Sequence, residues 1–154
     1  MDDAHYLIFR RGERWYAALV DRSVEVLEIS APTRVPGASP PIQGVIAHRG
    51  EVIPLVDLAQ APDGSQARQP QPALQAVEEE THRAVLLRST SGPLALSLSE
   101  VRGLVELPSP DRLWGESGLG ACLRGPVLYR EVEVAVIDPE RLYTFLCRAE
   151  VPGV

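Results

Sequence analysis

The hydrophobic pattern of the chain centres on Gly44–Leu58, which reads GVIAHRGEVIPLVDL. Two apolar runs rich in β-branched residues, Val45–Ala47 and Val52–Val56, flank the polar segment His48–Glu51. Such runs, joined by a short polar segment that contains glycine, are typical of a β-hairpin. The pattern therefore predicts a hairpin with Arg49 at its tip. On spacing alone, the simpler interpretation of this residue is a solvated turn arginine.

The same pattern occurs again in Gly125–Pro139, which reads GPVLYREVEVAVIDP. The two stretches align without a gap, and the alignment places Arg130 on Arg49 and Asp138 on Asp57. Two copies are too few for a solenoid. The repeat therefore predicts a pair of packed β subdomains.

Shorter apolar runs predict the remaining strands of each copy: Tyr6–Arg11, Trp15–Val20 and Val24–Ile29 in the first, and Arg83–Arg88, Leu94–Leu98 and Val101–Leu107 in the second. Asp138, Pro139 and Glu140 suit the start of a helix, which we place over Arg141–Arg148. Asp57 likewise suits the start of a shorter helix in the first copy of the repeat. We predict a mainly β fold: two five-stranded, SH3-like or barrel-like subdomains around a shared core, with a short C-terminal helix.

The expected unit is a single domain over residues 5–146. We place subdomain one at about 5–60 and subdomain two at about 82–146, with a segment at 60–81 that is rich in Gln, Ala, Pro and Glu. This composition is typical of a linker or surface excursion, with one helical turn at 73–79. The four prolines of 31–41 predict an ordered crossover rather than a central strand.

Composition narrows the class of protein. Hydrophobic residues make up 45% of the 154 residues, enough for a core, but aromatic residues only 5%. The net charge of −6 argues against nucleic acid or an anionic membrane as the main partner. An acidic N-terminus without a signal-peptide n-region predicts a cytoplasmic protein. Cys122 and Cys147 form no CxxC pair, so we expect reduced, half-buried thiols.

No pattern in the sequence requires catalysis. The three histidines are scattered, and the run Glu78–Glu80 is more simply solvated than metal-binding. We expect no catalytic residue, cofactor or metal. Asp57 and Asp138 are one carboxylate pair that a small acidic hydrolase could use. Their context favours helix caps instead. A nucleic-acid-binding β-barrel is a further alternative, but it would need a basic face.

The motif G-V-x-x-x-R-G-x-V-I-P-L-V-D-L within Gly44–Leu58 resembles the signature hairpin of the CheW family, the coupling proteins of bacterial chemotaxis arrays. The resemblance extends over about residues 5–146. It implies two five-stranded barrel-like subdomains and a non-catalytic scaffold. It also implies that a groove between the subdomains binds the cytoplasmic tip of a chemoreceptor hairpin. A second partner would be the regulatory domain of a CheA-type histidine kinase. The protein itself would act at receptor clusters, without direct membrane contact.

The resemblance assigns receptor-facing roles to individual residues. Arg49 matches the motif arginine at the receptor groove, followed by Gly50; Gly44 opens the hairpin and Glu25 is the acidic residue beside the groove. Apolar groove-side positions of the second subdomain fall on two further residues, Val101 and Leu104.

Three positions depart from the family pattern. Ser23 and His48 stand where the family has apolar residues, and Ser99 replaces a common aspartate. The segment Pro108–Gly120 is also compressed. The resemblance is therefore stronger on the receptor side. The alternative within the family is an accessory adaptor that binds the receptor, or another partner, but not the kinase.

Overall fold

The computed structural model of this chain describes residues 3–20, 24–29, 41–61 and 83–149. The predicted crossover at 31–41 and the predicted segment at 60–81, with its helical turn at 73–79 and its glutamate run, lie almost entirely outside the described residues.

The described residues form ten β-strands, two 3₁₀ helices and one α-helix. The strands are β1 Asp3–Arg11, β2 Arg14–Leu19, β3 Glu25–Glu28, β4 Ile42–His48, β5 Glu51–Val56, β6 Arg83–Ser89, β7 Gly92–Ser97, β8 Glu100–Pro108, β9 Leu123–Tyr129 and β10 Val132–Ile137. The helices are the 3₁₀ helices Leu58–Gln60 and Gly118–Cys122 and the C-terminal helix α1, Pro139–Ala149. The mainly β class with one short C-terminal helix is confirmed.

The strands form two five-stranded sheets, as predicted. The first sheet has the strand order β8-β1-β2-β10-β9, and the second has the order β3-β6-β7-β5-β4. Most neighbours are antiparallel, but β2 pairs with β10 and β5 pairs with β7 in parallel. The two orders are related by the repeat, since replacing each strand by its counterpart converts one order into the other.

The sheets do not follow the two halves of the chain, and here the structure differs from the predicted boundaries of about 5–60 and 82–146. Each half lends its first hairpin to the other half's sheet: β1 and β2 join β8, β9 and β10, while β6 and β7 join β3, β4 and β5. A hydrophobic pattern records which residues of a hairpin are buried, but it does not record which sheet buries them. The repeat is therefore equally compatible with this hairpin exchange and with a sequential arrangement, in which each half of the chain would form its own sheet.

Both faces of the central strands are buried, which explains their continuous apolar runs. In β1, Ile8 belongs to a cluster formed by strands of the first sheet, while Phe9 belongs to the core shared by both sheets. In β6, Leu86 lies in a cluster of the second sheet, and Val85 lies in the shared core. Alternate side chains thus fill the inside of each sheet and the space between the sheets. The predicted shared core is confirmed.

The repeated hairpin is confirmed in its details. Strands β4 and β9 each have seven residues, and β5 and β10 each have six. Two residues connect each pair, Arg49–Gly50 with φ of 52° and 81°, and Arg130–Glu131 with φ of 52° and 69°. Positive φ at both central residues is the geometry of a type I′ turn, which matches the twist of the adjoining strands.

Candidate partner-binding site

Arg49 projects from the tip of the β4–β5 hairpin. Its position in the turn leaves the side chain 74% exposed, and its Nη1 atom lies 3.5 Å from the Glu25 carboxylate oxygen Oε2. Within the part of the chain that the structure describes, this is the one contact of the guanidinium, so most of its N–H donors are open to a partner. The contact brings together two residues that lie far apart in the sequence and that the resemblance assigns to one surface.

The contact between Arg49 and Glu25 shows that the second sheet is curled. Glu25 begins β3 and Arg49 follows β4, and these two strands are at opposite ends of the strand order. Their side chains meet, so the sheet curls until its two edges approach each other. Leu27 of β3 and Ile46 of β4 pack in the same cluster of the second sheet. The curl is what the predicted barrel-like form requires.

Three more charged or polar side chains surround this contact. The Arg88 guanidinium donates to both oxygens of Glu51, at 2.6 and 3.2 Å. This hydrogen bond holds the pKa of Glu51 below its usual range. His48 Nε2 lies 3.9 Å from Glu25 Oε2. We refer to Glu25, His48, Arg49, Glu51 and Arg88 as the Arg49 cluster.

The Arg49 cluster borders a groove between the two sheets. The groove encloses about 280 Å³, and its lining comes from both sheets. Its apolar wall includes Leu19, Val24 and Leu87, and Arg88 belongs both to this lining and to the Arg49 cluster. Val24 directly precedes Glu25 in the chain. An apolar cavity with charged groups at its edge is the common form of a binding site. We call it the inter-sheet groove.

The other predicted residues occupy different environments. Gly50 completes the Arg49 turn, whereas Gly44 is buried in β4 beside a bulge and shapes the hairpin. Val101 and Leu104 lie on β8, an edge strand of the first sheet. Val101 packs against the shared core, and Leu104 is 65% exposed. The structure thus brings Glu25 and Arg49 together, and it places Val101 and Leu104 on the other sheet.

Sequence reasoning missed two members of the Arg49 cluster, Glu51 and Arg88. Glu51 follows the turn glycine, and Arg88 ends the apolar run of β6. A charged residue at the end of a buried strand is ordinary in sequence, so neither residue gives a signal by itself. The register of β5, β7 and β6 brings them together, and this register follows from the hairpin exchange.

The two aspartates of the hydrolase alternative cap separate helices. Asp57 Oδ1 accepts the Ala59 N–H at 3.0 Å, and Asp138 Oδ1 accepts the N–H groups of Glu140 and Arg141, each at 3.2 Å. The cap interpretation is confirmed. Because the carboxylates of Asp57 and Asp138 lie at the N-termini of two different helices, they do not form a shared acid–base site.

Each aspartate is also paired with an arginine. The buried Arg11 guanidinium bonds both oxygens of the buried Asp57 at 2.7 Å. Arg124 bonds Asp138 Oδ2 at 2.9 and 3.2 Å. Two-point contacts of this kind are among the stronger charged hydrogen bonds. The Arg11–Asp57 pair joins the end of β1 in the first sheet to the end of β5 in the second.

The cysteines differ from the prediction of two half-buried thiols. Both are free, but Cys122 is buried and Cys147 on α1 is exposed. Cys122 packs in the shared core, and this burial raises its pKa to about 11. A thiol of this kind is mostly protonated near neutral pH and behaves as a small apolar side chain.

Two interlocked five-stranded sheets, a shared core and the Arg49 cluster at the edge of the inter-sheet groove define the class of protein: a small β scaffold with a candidate binding surface. The family can also be stated, because the family model described as "CheW-like domain" matches residues 5–145. The chain therefore belongs to the CheW-like domain family, which confirms the predicted resemblance.

A solved structure supports the same fold. The chain is similar to the scaffolding protein TtCheW from Thermoanaerobacter tengcongensis, with 18% identity and a TM-score of 0.63. The similarity covers 88% of this chain and 89% of the other. Comparison with curated proteins gives no match.

The described residues include no helix with the length and hydropathy of a membrane span. The same residues contain no group of three or more His, Cys, Asp or Glu side chains placed to hold a metal ion.

Proposed function

We propose that this chain is a non-catalytic cytoplasmic adaptor that couples a chemoreceptor signalling tip to the regulatory domain of a CheA-type histidine kinase. It would act at receptor clusters, without contacting the membrane or nucleic acid and without a cofactor. The observation that carries the proposal is Arg49: an exposed arginine on a two-residue turn, in contact with Glu25, which directly follows Val24 of the inter-sheet groove.

The physical argument concerns how a helix would dock. A receptor tip presents amphipathic helices, and such a helix buries its apolar stripe in an apolar groove. The inter-sheet groove offers Leu19, Val24 and Leu87 for this stripe. A guanidinium at the rim can bind a carboxylate at two points and so fix the register of the helix.

The proposed receptor-interacting residues keep the roles that the resemblance implies. Glu25, Arg49 and Gly50 would form the charged rim, and buried Gly44 would hold the hairpin in shape. Val101 and Leu104 on β8 would add apolar contacts from the first sheet. Of these two, Leu104 offers the larger open surface, since it is 65% exposed.

The test is a pull-down of the purified protein with two baits, a receptor signalling-tip hairpin and the kinase regulatory domain. We expect Arg49→Ala to weaken receptor binding and to change the melting temperature by no more than a few degrees, because an exposed arginine contributes little to stability. A melting temperature lowered well beyond that would identify Arg49 as a structural residue instead.

The repeat supplies a matched control for this substitution. Arg130 occupies the same position of the same turn type, with the same φ of 52°, at the tip of the other hairpin. Arg130→Ala therefore changes the same side chain on the same kind of backbone. We expect it to leave receptor binding unchanged, and an equal loss in both variants would remove the argument for the Arg49 surface.

The kinase bait separates the leading function from its alternative. Binding to both baits would establish the coupling role, while binding to the receptor alone would make the chain an accessory adaptor. Binding to neither bait would contradict the proposed function and leave the family and the fold.

A further inference from the structure

His48 has an unusual environment within the Arg49 cluster. Its Nε2 atom is shielded from solvent, and no described residue forms a hydrogen bond with it. Glu25 Oε2 lies 3.9 Å away, just beyond hydrogen-bond distance. Buried polar atoms in native proteins nearly always have a partner, so this nitrogen needs an explanation.

The same carboxylate oxygen faces Arg49. Arg49 Nη1 approaches Glu25 Oε2 at 3.5 Å, so His48 and Arg49 both face one atom. The other carboxylate of the cluster is engaged, because Arg88 holds both oxygens of Glu51. Among the described members of the Arg49 cluster, Glu25 is therefore the acidic group for which His48 and Arg49 compete.

We infer that His48 is a specificity-determining residue of this surface: when protonated, it binds the Glu25 carboxylate, so that Arg49 no longer shares its charge with Glu25 and binds a carboxylate on the partner more tightly. The inference rests on the proposed function, since it assumes that the partner docks at Arg49. It specifies the chemistry of that partner, which presents an acidic side chain to this rim.

The charges of the cluster determine the direction of the effect. Around His48 stand Glu25 on β3, Arg49 in the turn, Glu51 on β5 and Arg88 on β6. With neutral His48, the two acids balance the two arginines. Protonation adds one positive charge, and histidine is the side chain that ordinarily changes charge between about pH 5 and 8. An acidic partner should therefore bind more tightly at the lower pH.

The test measures binding of the full chain to a receptor signalling-tip hairpin by calorimetry at about pH 6 and about pH 8. We expect the unmodified protein to bind about three-fold more tightly at the lower pH, the scale of an exposed ion pair. His48→Gln should remove this difference. Protonation of the receptor affects its binding to the unmodified protein and to His48→Gln equally. The difference in pH dependence between these two proteins is therefore due to His48.

A second measurement needs no partner. The side-chain carboxylate carbon of Glu25 is followed by NMR over the same pH range, in the unmodified protein and in His48→Gln. We expect its resonance to move with pH only where His48 is present, because only then does a new charge form beside it.

The outcomes separate the inference from the proposed function. Equal pH dependence of binding in both proteins, or a Glu25 resonance that ignores His48, would overturn the inference while leaving receptor binding established. Absence of receptor binding at both pH values would instead overturn the proposed function, and the inference with it. If the Glu25 resonance still moved with pH only where His48 is present, the His48–Glu25 contact would stand. Only the assumption that the receptor docks at Arg49 would then be wrong.

Discussion

At the scale of the residue, the buried Arg11–Asp57 pair gives the clearest prediction about stability. The side chains are 1% and 0% exposed, and the pair joins the two sheets. Removing one partner leaves a buried charge without compensation, which typically costs about 3–5 kcal/mol. We therefore expect Arg11→Met to lower the free energy of unfolding by an amount in this range, measured by urea denaturation.

The neighbouring arginine on the same strand is the control. Arg10 pairs with Glu100 at 3.3 Å, but the side chains of this pair are 30% and 46% exposed. Such partly exposed pairs contribute about 0–1 kcal/mol, so Arg10→Met should have a small effect. The double variant Arg11→Met, Asp57→Asn should regain part of the stability, because no buried charge remains. Equal losses for Arg10→Met and Arg11→Met would contradict this account.

The sequence predicted one half of this pair. Asp57 could be identified as a cap because it directly precedes a short helix, and capping is a local property. Its partner could not be identified, since Arg10 and Arg11 are adjacent and alternate residues of a strand face opposite sides. Only the packing of the sheets decides which of the two arginines is buried.

At the scale of the element, the two type I′ turns differ at one of their two central residues. The second central position is Gly50 in one turn and Glu131 in the other, with φ of 81° and 69°. A non-glycine residue in this left-handed region is strained by roughly 1 kcal/mol. We expect Glu131→Gly to raise the free energy of unfolding by up to about that amount, measured by urea denaturation.

The reverse exchange tests the same cause. A Cβ added at Gly50 would meet nothing within 4 Å, so Gly50→Glu introduces backbone strain without a steric clash. We expect a loss of about 1 kcal/mol at this position. If both substitutions shifted stability in the same direction, backbone strain would not be the cause, and interactions of the glutamate side chain would have to be considered.

Elements were the part of the fold that the sequence predicted best, because their signals are local. The predicted strand Arg83–Arg88 agrees with β6, Arg83–Ser89, to within one residue, and both copies of the repeated stretch form the predicted hairpin. Strand ends were less accurate: β1 begins at Asp3 rather than Tyr6. The added residues pair with the long edge strand β8, a contact that the sequence of β1 does not contain.

At the scale of the whole molecule, the hairpin exchange was not predicted, and it changes what the Arg49 surface is. Arg88 comes from the second half of the chain, yet it pairs with Glu51 from the first half. The inter-sheet groove also takes Leu19 and Leu87 from different halves. The candidate site therefore exists only when both halves are assembled, although its signature motif lies within one of them.

The exchange predicts that neither half of the chain folds by itself. The first half would keep β1 and β2 without β8, β9 and β10, and the second half would keep β6 and β7 without β3, β4 and β5. Each fragment would expose one face of every hairpin that it contains, and such strands are not stable alone in water. We therefore expect each half, expressed alone, to lack cooperative unfolding.

Cutting the assembled protein should have a different result. A protease site inserted between Ala61 and Arg83 leaves every described strand intact, and after cleavage the halves remain joined by both sheets and by the shared core. Gel filtration of the cut protein should give one species of the original size, which separates only in denaturant. An uncut protein with the same insertion controls for the insertion itself. Two folded fragments that elute separately would contradict the exchanged topology, because a sequential pair of subdomains would allow each half to keep its own sheet.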